Sequence, residues 1–156
     1  GYYSDQGFAP DLFDAVAAVR PTSPRDFDRR MRAVHRFRGL PEAASLAAAN
    51  KRIRNILRKA EDVLPEGFDA ACLSSSAEQH LLQGVQEYAA ITAPLFARGD
   101  YEAGLVRLAE LRQRVDSFFD QVMVMTEDAH IRRHRLKLLA ELEALFLAAA
   151  DISRLQ

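Results

Sequence analysis

The chain has 156 residues, 49% hydrophobic and 28% charged. That balance excludes global disorder and suits a single domain with a real core. The net charge of −1 excludes a uniformly basic or acidic protein, yet the charges are segregated: residues 20–60 hold twelve Lys or Arg against three Asp or Glu, and the rest hold nine against nineteen. Such segregation builds a directed field with one pole suited to a polyanion.

Only 7 Gly and 6 Pro accompany abundant Ala and Leu, which favours helices over turn-rich sheet. The lone cysteine, Cys72, allows no intramolecular disulfide and fits a reducing, cytoplasmic setting. The longest apolar run, Ala144 to Ala150, is too short to span a bilayer, so no membrane partner is expected. Gly1 to Asp5 lack the charged and apolar regions of a signal peptide.

In chain order, Asp11 to Arg20 reads as a short helix with Leu12, Phe13, Val16, Ala17 and Val19 mostly inward. Ser23, Pro24 and Asp26 then supply a cap, a first-turn proline and a first-turn acid for a second helix reaching about Phe37. Pro41 opens a third helix that runs to about Glu61. Its apolar stripe is Leu46, Ala49, Ile53, Ile56, Leu57 and Ala60, while Lys51, Asn55, Arg58 and Lys59 fall opposite at about 100° per residue. Arg52 and Arg54 flank the edges, and Asn50, at the stripe's border, reads as a structural hydrogen-bonder.

Residues 64–68 form a turn and 68–75 a loop. Ser75 with Glu78, or Ser76 with Gln79, has capping-box spacing for a fourth helix that runs to about Ala97 and kinks at Pro94. Asp100 caps a fifth helix directed toward Phe118 and Phe119. After an apolar connection, Asp120 to Thr126, the last helix runs from about Glu127 to about Asp151, with Ile131, Leu138, Leu142, Leu145, Phe146 and Ala149 inward. The expected architecture is all-α: an antiparallel bundle of about five to six helices forming one domain, with lead-in helices in 1–38 and the main bundle in 39–156.

The last helix opens with a second basic cluster. Arg132, Arg133 and Lys137 face outward, whereas Arg135 falls near the apolar stripe and needs a paired structural role, with Asp120, Glu127 or Asp128 as candidate partners. His130 and His134 have a spacing that can bind zinc, but no third ligand is evident nearby, so no metal site is expected. Cys72 reads as an ordinary small apolar residue, since no histidine lies near it in sequence. The acid pairs Glu61-Asp62 and Glu127-Asp128 read as helix-end residues. No Gly-rich phosphate loop, G-x-S-x-G elbow or catalytic cluster is present, so no catalytic residue is named.

Several blocks together give a family resemblance. They are Leu46-Ala47-Ala48-Ala49-Asn50-Lys51-Arg52-Ile53-Arg54-Asn55-Ile56-Leu57, then Phe118-Phe119-Asp120-Gln121-Val122-Met123-Val124-Met125, then Arg135-Leu136, Leu145-Phe146-Leu147 and Ala150-Asp151-Ile152-Ser153. In this order and spacing the chain resembles the C-terminal region of the bacterial glycyl-tRNA synthetase β subunit, a helical anticodon-binding domain of the DALR type. It departs from that pattern at His134, where the family usually has Asn before Arg-Leu, and at Arg154, where an apolar residue is usual.

The resemblance implies a tRNA-reading module that is part of a longer β subunit and has no chemistry of its own. Its expected partners are the anticodon region of a glycine tRNA, the α subunit and upstream β-subunit domains. No cofactor is expected here, since ATP and magnesium belong to the aminoacylation site of the α subunit. Two cytosines of the anticodon would be read on their exposed edges by Lys51, Arg52, Arg54, Asn55 and Arg58, with Arg132 and Arg133 opposite or on phosphates, and with Tyr88 and Tyr101 as stacking platforms. The alternative is a helical subunit-docking module that does not read the anticodon.

Overall fold

The computed structural model describes residues 1–156 and contains helices only. A single turn, α1 (Tyr2–Asp5), precedes seven longer helices: α2 (Pro10–Ala17), α3 (Pro24–Arg38), α4 (Ala43–Lys59), α5 (Ser76–Ala97), α6 (Tyr101–Leu108), α7 (Arg112–Gln121) and α8 (Ala129–Leu147). Short 3-10 turns lie at Ala70–Cys72, Ala109–Leu111 and Ile152–Arg154. The helix count exceeds the expected five to six because a 3-10 turn divides the expected fifth helix into α6 and α7.

Local chemistry sets most helix starts. Ser23 accepts from the Asp26 amide with Pro24 in the first turn, and Asp100 accepts from the Ala103 amide. Of the two capping boxes with suitable spacing, Ser75–Glu78 forms. Asp128 accepts from the amides of His130 and Ile131 at the head of α8. Gly99, at φ +78°, takes the left-handed turn between α5 and α6. The helix α5 continues through Pro94 to Ala97, with the Thr92 hydroxyl donating to the Tyr88 carbonyl.

One contiguous apolar core joins all the longer helices. Phe37 of α3, Leu46 and Ile53 of α4, Leu81 of α5, Leu105 of α6, Phe118 of α7 and Phe146 of α8 are fully buried in it. Residues 1–38 share this core: α2 and α3 contribute Leu12, Val16, Met31 and Val34. Phe13 departs from expectation and is exposed, because α2 spans only Pro10–Ala17 and turns that side to solvent. The last helix ends at Leu147, short of the expected Asp151. The chain then turns so that Ile152 and Ser153 are buried, and this segment packs on α4 and α2. The Asp151 amide donates to the Ala15 carbonyl, and Arg30 donates to the carbonyls of Ala148 and Ala149, closing the turn against the N-terminal helices.

Arg135 is paired, as its place near the stripe demands, but its partner is Glu78 of α5, at 3.0 Å, rather than Asp120, Glu127 or Asp128. Glu78 is 1% exposed. One of its oxygens accepts from the Ser75 amide and the other from Arg135, while the far end of Arg135 donates to the Met123 carbonyl. Removing one partner of such a pair strands a buried charge. Glu78→Gln is expected to destabilise the fold by about 3 kcal/mol in urea titration. The double variant Glu78→Gln/Arg135→Met should recover part of that loss, and additive losses would show that the two side chains act independently.

Candidate nucleic-acid interface

The helix α4 has two faces by its periodicity. Leu46, Ala49, Asn50 and Ile53 are buried, and the Asn50 amide donates to the Leu46 carbonyl, the structural role expected of it. The opposite face is open. Ala48, Lys51, Arg52, Asn55, Ile56 and Lys59 line a shallow groove of about 490 Å³, closed on its far side by Met125 from the α7–α8 connection. Three of the expected side chains, Lys51, Arg52 and Asn55, therefore meet in one groove. Lys59 and Met125 belong to it as well. Helical spacing from Arg52 and Asn55 pointed to Lys59, whereas nothing local in sequence pointed to Met125.

Two details orient this surface. The Arg58 guanidinium donates to Asn55 Oδ1 at 3.2 Å, and an arginine can only donate, so the Asn55 oxygen is engaged while its NH2 group makes no hydrogen bond within the chain. The Arg52 guanidinium lies over the Phe119 ring at 4.5 Å from its centroid, which holds a flat cation at the groove's edge.

The arginines fall into two groups. On α3, Arg30, Arg32, Arg36 and Arg38 are each paired with a carboxylate: Asp26, Asp28, Glu102 and Asp11. On α4, Lys51, Arg52, Arg58 and Lys59 are exposed and have no carboxylate within ion-pair distance. Arg25 and Arg29 of α3 are also exposed without an ion pair, but α4 holds four such cations together, Lys51, Arg52, Arg58 and Lys59. Arg54 sits apart from the groove, half-buried, with a 3.4 Å contact to the Ser153 hydroxyl.

The second basic cluster approaches the end of α4 through Asp62. Arg132 does not face outward as expected. It grips the Asp62 carboxylate with two nitrogens and donates to the carbonyls of Thr126 and Glu127. Desolvating a guanidinium is tolerated because carboxylate and carbonyls fill its donors. Arg133 has no carboxylate partner; it is half-buried and donates to the Ala129 carbonyl. Tyr88 and Tyr101 do not serve as exposed platforms. They are 8% and 6% exposed, their hydroxyls donate to Glu110 and Asp26, and Arg107 and Arg30 cover their rings. Tyr88 continues the buried row Leu81, Val85, Thr92, a periodic signal that already marks it as core.

The loop between α4 and α5 lies along the head of α8. Besides the Asp62–Arg132 pair, Lys137 sits over the Phe68 ring, and Asp69 lies 3.6 Å from His130. Cys72, from the 3-10 turn, lies with His130 and His134 so that one ligand atom from each falls within 4.8 Å of the others.

Against this geometry, the sequence profile of the DALR anticodon binding domain matches residues 46–152, and the chain belongs to that family. The match begins at the buried start of the α4 core and ends at the turn after α8, so it contains the groove. The chain is also 53% identical over 154 residues to the glycine–tRNA ligase beta subunit of Tolumonas auensis and 54% identical over 155 residues to that of Edwardsiella ictaluri. It is 51% identical to that of Aliivibrio fischeri. In each case 99% of this chain is covered, and the chain spans 22% of the relative's length.

The Asp62 carboxyl is held below the ordinary aspartate range by the hydrogen bonds from Arg132, against an opposing effect of desolvation. A lowered folded value means this Asp62–Arg132 latch contributes fully above about pH 4 and is lost as pH falls through that lowered value. Carbon-13 NMR titration of the Asp62 carboxyl should give a midpoint below about 3.9 that returns to the ordinary range in Arg132→Gln. An unshifted midpoint in the unaltered chain would remove the latch.

Proposed function

We propose that this chain is the tRNA anticodon-binding module of a glycyl-tRNA synthetase β subunit, supporting attachment of glycine to its tRNA by the holoenzyme. The observation that carries the reading is the α4 groove. There, Lys51, Arg52 and Lys59, all without a carboxylate partner, line the groove with Asn55, whose NH2 group is free and whose oxygen is held by Arg58, within a chain of the DALR anticodon-binding family. The aminoacylation site, with its ATP and magnesium, belongs to the α subunit. That subunit and the rest of the β chain are this module's expected protein partners, in the cytoplasm.

Cytosine in a splayed loop offers acceptors at O2 and N3, which suit the Asn55 NH2 group and the ammonium of Lys51. With both tyrosines in the core, the flat group available to a base is the Arg52 guanidinium, braced on Phe119. Arg58 does two things: it attracts phosphate and it fixes the Asn55 amide. Lys59 contributes charge alone. Arg133 extends the positive surface toward a neighbouring phosphate, while Arg132 holds the scaffold through Asp62.

If about four phosphates are contacted, the salt slope is near −3, and a fourfold rise in salt weakens binding roughly 50-fold. Binding to a glycine tRNA and to variants with either anticodon C changed to U separates grip from reading. Asn55→Ala is expected to lose about 1–3 kcal/mol of discrimination at one cytosine. Arg58→Ala should lose affinity and part of the same discrimination, and Lys59→Ala should weaken all the RNAs alike. Equal losses on all RNAs for Asn55→Ala would leave a backbone clamp. No RNA binding by the chain would favour subunit docking through exposed Val63 and Met123.

A further inference from the structure

We propose that Cys72, His130 and His134 bind a zinc ion, with the Asp69 carboxylate completing the site. This site is separate from the groove and carries no part of the RNA-binding reading. The three ligand atoms lie within 4.8 Å of one another and come from two elements, the Ala70–Cys72 turn and the first turns of α8. Around a tetrahedral zinc with bonds of about 2.0–2.3 Å, ligand atoms stand roughly 3.5 Å apart. Closing that difference requires small side-chain rotations, and the exposed His130 has room for them.

The ligands are also prepared. His134 is 3% exposed, and its Nδ1 lies 2.8 Å from the His130 carbonyl oxygen. A carbonyl only accepts, so Nδ1 carries the proton and Nε2 presents its lone pair. This is the tautomer that a metal-bound histidine adopts when its other nitrogen donates to the backbone. Cys72 is buried beside it. Asp69 Oδ1 accepts from the Ala71 amide, which fixes the carboxylate and leaves Oδ2 3.6 Å from His130 Nε2.

One sulfur, two imidazoles and a carboxylate suit zinc better than the hard cations calcium or magnesium. A nucleophilic role for Cys72 fits poorly, because burial and then the nearby carboxylates of Asp69, Asp128 and Glu78 push its thiol upward, away from thiolate. Zinc displaces that proton and supplies positive charge where the carboxylates gather. A closed site of four protein ligands is structural. Here it fastens the α4–α5 loop to α8, beside the Asp62–Arg132 latch, and so stiffens the end of the α4 surface.

The test is zinc titration of the chain against a chromophoric chelator, followed by cobalt substitution. Expected are one zinc per chain retained through desalting, a thiolate-to-cobalt charge-transfer band, and a raised melting temperature that chelator reverses. Cys72→Ser should abolish the band. It and His134→Asn should each weaken zinc binding by more than the roughly 10–100-fold typical of losing an orienting group. Asp69→Asn should weaken it by at least about 10-fold. Circular dichroism confirms that each variant is folded, and the cobalt spectrum of the unaltered chain tests the site even if one is not. Substoichiometric zinc, a cobalt spectrum lacking the thiolate band, or unchanged affinity in folded Cys72→Ser would each overturn the proposal.

Discussion

The buried carboxylate of Glu78 ties together the start of α5, the head of α8 and the connection between α7 and α8. It begins α5 through its bond to the Ser75 amide, holds α8 through Arg135, and, through the same guanidinium, fixes the Met123 carbonyl. Met125, two residues further on, closes the α4 groove. The start of α5 also sets where the preceding turn, with Cys72, meets α8. A single ion pair buried between helices is not necessarily more stable than apolar packing in its place. In this arrangement both oxygens of the carboxylate are engaged, one by the Ser75 amide and the other by Arg135.

The fate of the arginines explains how a chain with net charge −1 presents a cationic surface. The basic stretch spans α3 and α4, but the fold spends them differently. Four guanidiniums of α3, those of Arg30, Arg32, Arg36 and Arg38, lie against carboxylates on α2, α3 and α6, and Arg30 also binds carbonyls at the end of α8, so these four join elements together. Those of α4 meet no carboxylate. Four of the twelve basic side chains of this stretch therefore act as structural adhesive, and the exposed unpaired ones supply the field. Arg132, which looks like a surface cation, belongs to the adhesive.

Features resting on short-range chemistry were legible in the sequence. Ser23, Ser75 with Glu78, Asp100 and Asp128 each bond an amide two or three residues ahead, so the caps and helix starts followed from spacing. The two faces of α4 followed from its 3.6-residue period, and that face supplied the groove's Lys51, Arg52 and Asn55. Long-range choices were hidden. Arg135 visibly needed a partner, yet Glu78 lies 57 positions away, and the nearer acids were the only ones sequence could offer. The end of α8 was overrun because Ala148–Ala150 continue an apolar pattern that the chain uses to turn and bury Ile152. Cys72 has no histidine near it in sequence, whereas the loop carries it to two histidines 58 and 62 positions on.

On the proposed reading, the open face of α4, closed by the 122–126 connection, receives the RNA. Its most direct test is an amide chemical-shift map of the chain on addition of a glycine-tRNA anticodon stem-loop. Shifts concentrated in residues 48–59 and 122–126 are expected, with the carboxylate-paired face of α3 unmoved. Shifts confined to α3 or to the exposed apolar residues around Val63, with α4 silent, would contradict it.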